Sequence, residues 1–470
     1  MQTNNPTQLR PAGTRQPPWL WFILGTGTLL VLFLALWRGS QPETPVEPPE
    51  EQHPAAPADS ETGSAPKARL FSARRAGTST APMEMAAEQA VSNKLAQFAR
   101  SRRAVAAAMA RKAGVEVTPE IERFFNAVEA GNWVEANALF QALRRADDPE
   151  SRSPEVLALW PAIHETFGVA ETVHEWPAQR LLDYGKAVMG ALRPGMIYVG
   201  GTDPGRFIPT LLNETSGGEP HVVLTQNAFA DSSYLKYAEF LYGDRLQALN
   251  GEDSQQAFQN YMTDAQKRFL HDQQFPDEPK QVRSGEDIRI VDNRVQVSGQ
   301  VAVMSINERL LQKLLEKNPD VPFALEESFS LKSTYAGAAP LGPILELRAT
   351  TEQNPVSSAQ AGQALEYWRT QARELAGEDP ASDVRKTYAH MAGAQANFFA
   401  DQHLNAEAEH AYRLASELSP GYLDPVGGLF RLMVEGGRVN DAEQLLNTFA
   451  ARNPDQQPAV QKLRESTRRR

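Results

Sequence analysis

The chain has 470 residues, 41% of them hydrophobic and 22% charged, a globular composition too long for one compact core, so two or three folded units are expected. Its formal net charge of −11 argues against broad nucleic-acid binding, which needs a concentrated basic face, and the basic tail Arg468–Arg469–Arg470 reads as a solvated terminus. Cysteine is absent, and the eight histidines form no HxxxH or HExxH pair. Disulfides, thiolate metal sites and cysteine nucleophiles are thereby excluded; no metal, cofactor or catalytic set is expected, and an oxidising compartment fits.

The first element in chain order is "WLWFILGTGTLLVLFLALW", Trp19 to Trp37, 19 residues without a charge. A helix of that length matches a hydrocarbon core of about 30 Å. Trp19, Trp21 and Trp37 mark its ends as interfacial tryptophans do. Arg10 and Arg15 precede it, while Arg38 is followed by Glu43, Glu47, Glu50 and Glu51. The positive-inside rule therefore makes residues 1–18 a cytoplasmic tail, 19–37 a single transmembrane anchor, and the bulk of the chain extracytoplasmic, periplasmic beyond an inner or plasma membrane. The competing reading is a cleaved signal peptide. The run exceeds a usual signal core, and bulky Trp37 beside Arg38 is a poor cut site, so an uncleaved anchor is favoured.

Residues 40–82 read as a disordered Pro-rich linker. Seven prolines and several acids between Ser40 and Lys67 leave too little apolar surface to bury. Those 28 residues reach up to ~80 Å when extended. Residues 83–175 follow as a helical unit. "MEMAAEQAVSNKLAQFARSRRAVAAAMARKAG" is Ala-rich and lacks proline, with a candidate interruption near Ser101. Thr118 with Pro119 then makes an N-cap and first turn, and the glycine of "EAGNW" separates two amphipathic stretches, forming a helical hairpin.

From 176 to 350 the pattern changes to strands alternating with helices, which implies an α/β domain with a mostly parallel sheet and helices on both faces. The strand runs are "GMIYVGG", "HVVLTQN", "DIRIVD", "VQVSG", "PFALEES" and "PILELRA"; "INERLLQKLLEKNPD" has helical spacing. Ligands in such sheets bind beyond the carboxyl ends of strands. There stands "GGTDPGR", in which Gly200 and Gly201 permit close backbone approach, Asp203 can cap the next helix and Arg206 can meet an anion. A second strand end offers Gln226, Asn227 and Asp231. The turn matches neither GxGxxG nor GxxxxGK[ST]. Convergence of Asp203, Arg206, Asn227 and Asp231 in an open cleft would favour a ligand site; Asp203 capping with Arg206 buried against it would leave a structural bend. In "EES", Glu326 and Glu327 cannot both face one pocket, because adjacent strand residues point to opposite faces.

Residues 360–467 carry a period. Ala396, Phe399, Ala408, Tyr412, Ala415 and Pro420 recur 34 residues on as Phe430, Met433, Ala442, Leu446, Phe449 and Pro454, each at an equivalent place in its unit. An offset of 34 with a closing proline is the tetratricopeptide period: small residues let two helices approach, larger ones fill between them, and proline ends the second helix. The hairpin at Glu122–Arg145, with Ala136 and Phe140, resembles the same unit. All-α tetratricopeptide-like hairpins thus flank the α/β domain.

The segments "RPGMIYVGGTDPGRFIPTLLNE", "VVLTQNAFADSSYLKYAEFLYGD", "VQVSGQVAVMSIN" and "ALEESFSLKSTYAGAAPLGPILELR" are similar to the water-exposed C-terminal domain of uncharacterised multi-span membrane proteins related to protein O-mannosyltransferases. The resemblance covers residues 176–348. It implies an extracytoplasmic α/β domain associated with cell-surface assembly or glycosylation machinery. Here one anchor replaces the polytopic region and the turn's acids are reduced to Asp203, so transferase activity does not carry over. The leading expectation is a membrane-anchored, non-enzymatic scaffold of the cell envelope, binding other proteins through its repeats. The alternative is a glycosyltransferase-related or sugar/phosphate-ligand domain using the GGTDPGR turn.

Overall fold

A computed structural model of the protein describes residues 81–144, 152–218, 220–283, 285–291, 294–326, 337–347 and 356–468. The tail at 1–18, the expected span at 19–37, the linker up to residue 80, Glu327 and Ser328, and the final Arg469–Arg470 lie outside these. Among the described residues no helix is long and apolar enough to cross a membrane.

Helix α1 (Ala81–Ala113) runs unbroken through Ser101, because nothing in its alanine-rich sequence interrupts helical propensity. Val91, Leu95, Phe98, Ala99, Ala106 and Ala110 recur at helical spacing and are buried. Arg102 lies in the same stripe, 1% exposed, with its guanidinium paired to Glu165 and, at 3.3 Å, to Glu214. Two acids around one buried cation satisfy the charge that burial would otherwise penalise. Helices α2 (Pro119–Glu129) and α3 (Trp133–Arg144) form the expected hairpin, and the Thr118 side chain accepts from the Ile121 amide as N-cap. Helices α4 (Pro154–Glu175) and α5 (Ala178–Ala191) complete this unit and pack it on the sheet domain.

The sheet corrects the expectation of a mostly parallel one. Strands β1 (Ile197–Gly200), β2 (Val222–Thr225), β5 (Phe323–Leu325), β6 (Ala338–Leu341) and β7 (Ile344–Leu347) stand in the order β2-β1-β5-β7-β6. β1 pairs in parallel with β2 and β5, whereas β5–β7 and β7–β6 are antiparallel. The sheet is therefore mixed, and "AAPL" of β6 is a strand the sequence pattern did not disclose. A second correction concerns "DIRIVD" and "VQVSG". They form β3 (Asp287–Val291) and β4 (Arg294–Ser298), an antiparallel pair separate from the main sheet. Parallel strands need crossovers: α6 (Asp203–Glu214) links β1 to β2, while α7 (Ser232–Tyr242), α8 (Gly251–Gln274) and α9 (Gln300–Lys317) lie between β2 and β5. The first connection steps from β1 out to β2 and the second returns from β2 past β1 to β5, so they cross the sheet in opposite directions and right-handed crossover puts α6 and α9 on opposite faces. Ile197, Tyr198 and Val199 are at most 1% exposed between them, and burying each such side chain contributes roughly 1.5–3 kcal/mol.

Helix α10 (Ser358–Glu374) packs on β6, and α11 (Asp383–Asp401) on β7. The repeat helices follow as α12 (Asn405–Leu418), α13 (Leu423–Glu435), α14 (Val439–Arg452) and α15 (Gln457–Arg468). Ala396, Phe399, Ala408, Ala415, Ala442 and Leu446 are fully buried; Tyr412, Phe430, Met433 and Phe449 are nearly so. Pro420 and Pro454 are exposed and stand just after the C-caps Ser419 and Asn453. The period also governs the turns. His403 (φ 59°) and Gly437 (φ 77°) are 34 residues apart in the left-handed region, and Gly131 (φ 69°) holds that place in the first hairpin. In each, the next amide reaches back five residues: Asn132 to Ala127, Leu404 to Phe399, Arg438 to Met433.

Candidate functional site

The strand-end turn begins where β1 runs out of apolar side chains at Gly200. Helix α6 then starts with Thr202, not Asp203, as its N-cap: the Thr202 hydroxyl accepts from the Gly205 amide at 3.0 Å. Thr202 has the extended backbone, ψ 166°, that a cap requires, and Pro204 lies within the first turn, where its missing N–H costs nothing. Asp203 moves one place inward and accepts from Arg206 Nη2 at 2.7 Å. Arg206 is 4% exposed, with its guanidinium 4.2 Å from the centre of the Phe207 ring.

The amides of this turn face an anion, and the anion belongs to the chain. Glu326, directly after β5 and 1% exposed, accepts at Oε2 from the Gly201 and Thr202 amides, both 3.0 Å. Its Oε1 accepts from the Thr202 hydroxyl at 2.6 Å and the Tyr184 hydroxyl at 3.0 Å. A helix N-terminus is where a phosphate or carboxylate is stabilised by amides and dipole together, and a side chain fills that role here. The fit demands Gly205, since a Cβ there would stand 1.8 Å from the carboxyl atoms. Burial, and then the Glu326 charge, hold the Tyr184 hydroxyl well above the ordinary tyrosine range, so it remains a donor.

Of the sequence-predicted residues, the structure brings Asn227 to the turn, its amide donating to the Gly201 carbonyl at 2.8 Å. Gln226 follows β2 at 1% exposure, and its side-chain nitrogen and oxygen have no hydrogen-bond partner among the described residues. That is an unusual cost for a buried amide. Asp231 turns elsewhere: it caps α7, accepting from the Ser233 amide and hydroxyl, and its charge acts on Arg152. Sequence reasoning weighed Glu326 only as half of a carboxylate pair with Glu327, which strand geometry disfavours, and missed its role as the turn's anion.

Beside the turn, Glu171 of α4 is pushed up to about 7 by burial first, then by the charges of Glu175 and Asp203. Among the described residues no group of three or more His, Asp or Glu side chains is placed to hold a metal.

The second surface is on the repeats. Most of α11 is buried, leaving Lys386, His390 and Asn397 along one stripe at least partly open. Asp424, Arg431 and Glu435 are exposed on α13. The stripes are joined by His390 Nδ1 to the Tyr422 hydroxyl at 3.1 Å and by that hydroxyl to Asp424 at 2.7 Å. The opposite side of α11 is committed inward. Gln395 donates to the Gly342 and Ile344 carbonyls at 2.8 and 3.2 Å and accepts from Trp368 Nε1 at 2.9 Å. One face of α11 therefore holds the sheet, and another is partly open to solvent.

Residues 400–466 match the tetratricopeptide repeat family. The match runs from the end of α11 into α15, and repeats of this kind generally mediate contacts between proteins. No curated protein and no solved structure matches the chain significantly.

Proposed function

We propose that the protein is a single-pass, membrane-anchored scaffold of the cell envelope, with its folded part outside the cytoplasm, and that it holds partner proteins through its repeats. The observation that carries this reading is the tetratricopeptide segment at 400–466, with the polar stripe of Lys386, Asn397, Asp424, Arg431 and Glu435 open beside it. The uncharged run Trp19–Trp37 and its flanking charges support the anchor and orientation. The resemblance of residues 176–348 to an extracytoplasmic domain of O-mannosyltransferase-related proteins supports placement beside cell-surface assembly machinery. A sugar or phosphate ligand at the GGTDPGR turn is not carried forward, because Glu326 already occupies the Gly201 and Thr202 amides.

Two measurements test the reading. A phosphatase reporter fused after the C-terminus, active only outside the cytoplasm, should be active, and the chain should resist alkaline extraction from membranes. Photo-crosslinkers at Asn397 and Arg431 should capture one defined protein that an equivalent probe at exposed Gln444 on α14 does not. An inactive reporter removes the placement; equal capture from both faces removes the repeat surface.

A further inference from the structure

The contacts around Glu326 form a closed ring. Glu326 accepts from the Tyr184 hydroxyl, and the Tyr184 ring meets Tyr388 of α11 edge-on, centroids 5.7 Å apart at 81°. Tyr184 and Tyr388 are 1% and 3% exposed, so this contact is dry. Along α11, Gln395 binds the Gly342 carbonyl and the Ile344 carbonyl of β7. β7 pairs with β5 through Phe323↔Leu347 and Leu325↔Leu345, and β5 ends in Glu326, where the path began. Trp176 steadies Tyr184 from another side, centroids 5.4 Å apart, and Arg180 on the same helix pairs with Glu378 ahead of α11 at 2.8 Å.

We propose that Glu326 is a built-in anion whose seating in the strand-end turn is coupled to the seating of the first repeat helix, with Tyr184 as the positioning residue between them. The physical reason is the ring itself. Withdrawing the carboxylate strips acceptors from two amides and two hydroxyls at once, and Tyr184 then loses the bond that fixes its ring against Tyr388. A charge-assisted set of bonds in a dry site has two discrete states, made or broken, which is what a coupled element requires. Gly205 contributes by leaving the space that the carboxylate occupies. The coupling does not depend on the scaffold reading, since its test needs no partner.

The test is hydrogen exchange in the full-length chain, read on the α11 amides with α14 as internal reference. Glu326→Gln and Tyr184→Phe should each speed α11 exchange about fivefold or more while leaving α14 unchanged. Tyr198→Phe is the control: it removes one buried tyrosine hydroxyl bond, to the Gly205 carbonyl at 2.6 Å, beside the same turn but outside the ring. It should leave α11 unchanged. In combination with Gln395→Leu, Glu326→Gln should add less than the product of the separate effects, because both open one ring. The proposal is overturned if Tyr198→Phe speeds α11 as much, if the change stays within residues 200–206, or if the two effects simply multiply. Tyr184→Phe removes a single hydroxyl and carries the test if Glu326→Gln does not fold.

Discussion

Replacing Gln395 by leucine removes the polar pin between the repeats and the sheet. Gln395 is 1% and Trp368 0% exposed, so no water takes over at the Trp368 N–H or the buried Ile344, whereas Gly342 is exposed and its carbonyl can turn to solvent. The substitution leaves the Trp368 N–H and the Gly342 and Ile344 carbonyls without this partner. Each buried polar group stripped in this way costs about 1–3 kcal/mol, and the two buried ones set about 2 kcal/mol as the expected minimum. Whole domains are stable by only about 5–15 kcal/mol, so the loss is a large fraction of the total. Urea unfolding of the full-length chain, followed by circular dichroism, reads it as a lower midpoint. Adding Trp368→Phe removes the orphaned N–H and should restore about 1–2 kcal/mol relative to Gln395→Leu alone. A Gln395→Leu variant within about 0.5 kcal/mol of the parent would refute the reasoning, because that is the scatter of unremarkable surface changes.

The pH profile of stability should have two limbs. Burial first, then the charges of Arg206, Arg144 and Arg152, push His164 down to about 3 from its ordinary 6.5. Between these values the unfolded chain binds a proton that the fold refuses, so stability is lost as pH falls, by at most about 1.4 kcal/mol per pH unit. Glu171, pushed up to about 7 from 4.5, acts oppositely: the fold keeps a proton that the unfolded chain has released, and stability is lost as pH rises through that range. His164→Phe should flatten the acid limb and Glu171→Gln the neutral one, as read by urea midpoints across pH; unchanged slopes would remove these assignments. His403→Gly, which relieves the left-handed conformation at φ 59°, should stabilise the repeats by about 1 kcal/mol, and a lower thermal midpoint would show the side chain to be needed there.

Legibility followed the range of the interactions. The repeats could be read because their signal is local and returns after 34 residues, down to the closing prolines Pro420 and Pro454. Strands β1 and β2 could be read because a parallel strand buried on both faces is a continuous apolar run. β6 was hidden: four residues containing Pro340 carry no strand propensity of their own and are ordered by pairing with β7. The cap was misplaced by one residue because Thr202 and Asp203 are both capping types, and only the backbone shows which one is extended. The role of Glu326 could not be read at all, since its partners Thr202 and Tyr184 lie 124 and 142 residues away. Local pattern does not encode a meeting over that distance.

The sheet edge has a consequence for the making of the molecule. β6 is an outermost strand, and α10 and α11 lie over it and its neighbour β7. A chain growing from its N-terminus finishes β7 before residue 358 exists, so for that interval the edge is bare. β1 has by then waited 126 residues for its partners in β5 to emerge. Bare edges recruit strands from other molecules. The C-terminal helices are thus the cover that ends a vulnerable stage of biosynthesis, and a ribosome stalling near residue 350 would leave a chain prone to aggregation rather than a smaller working domain.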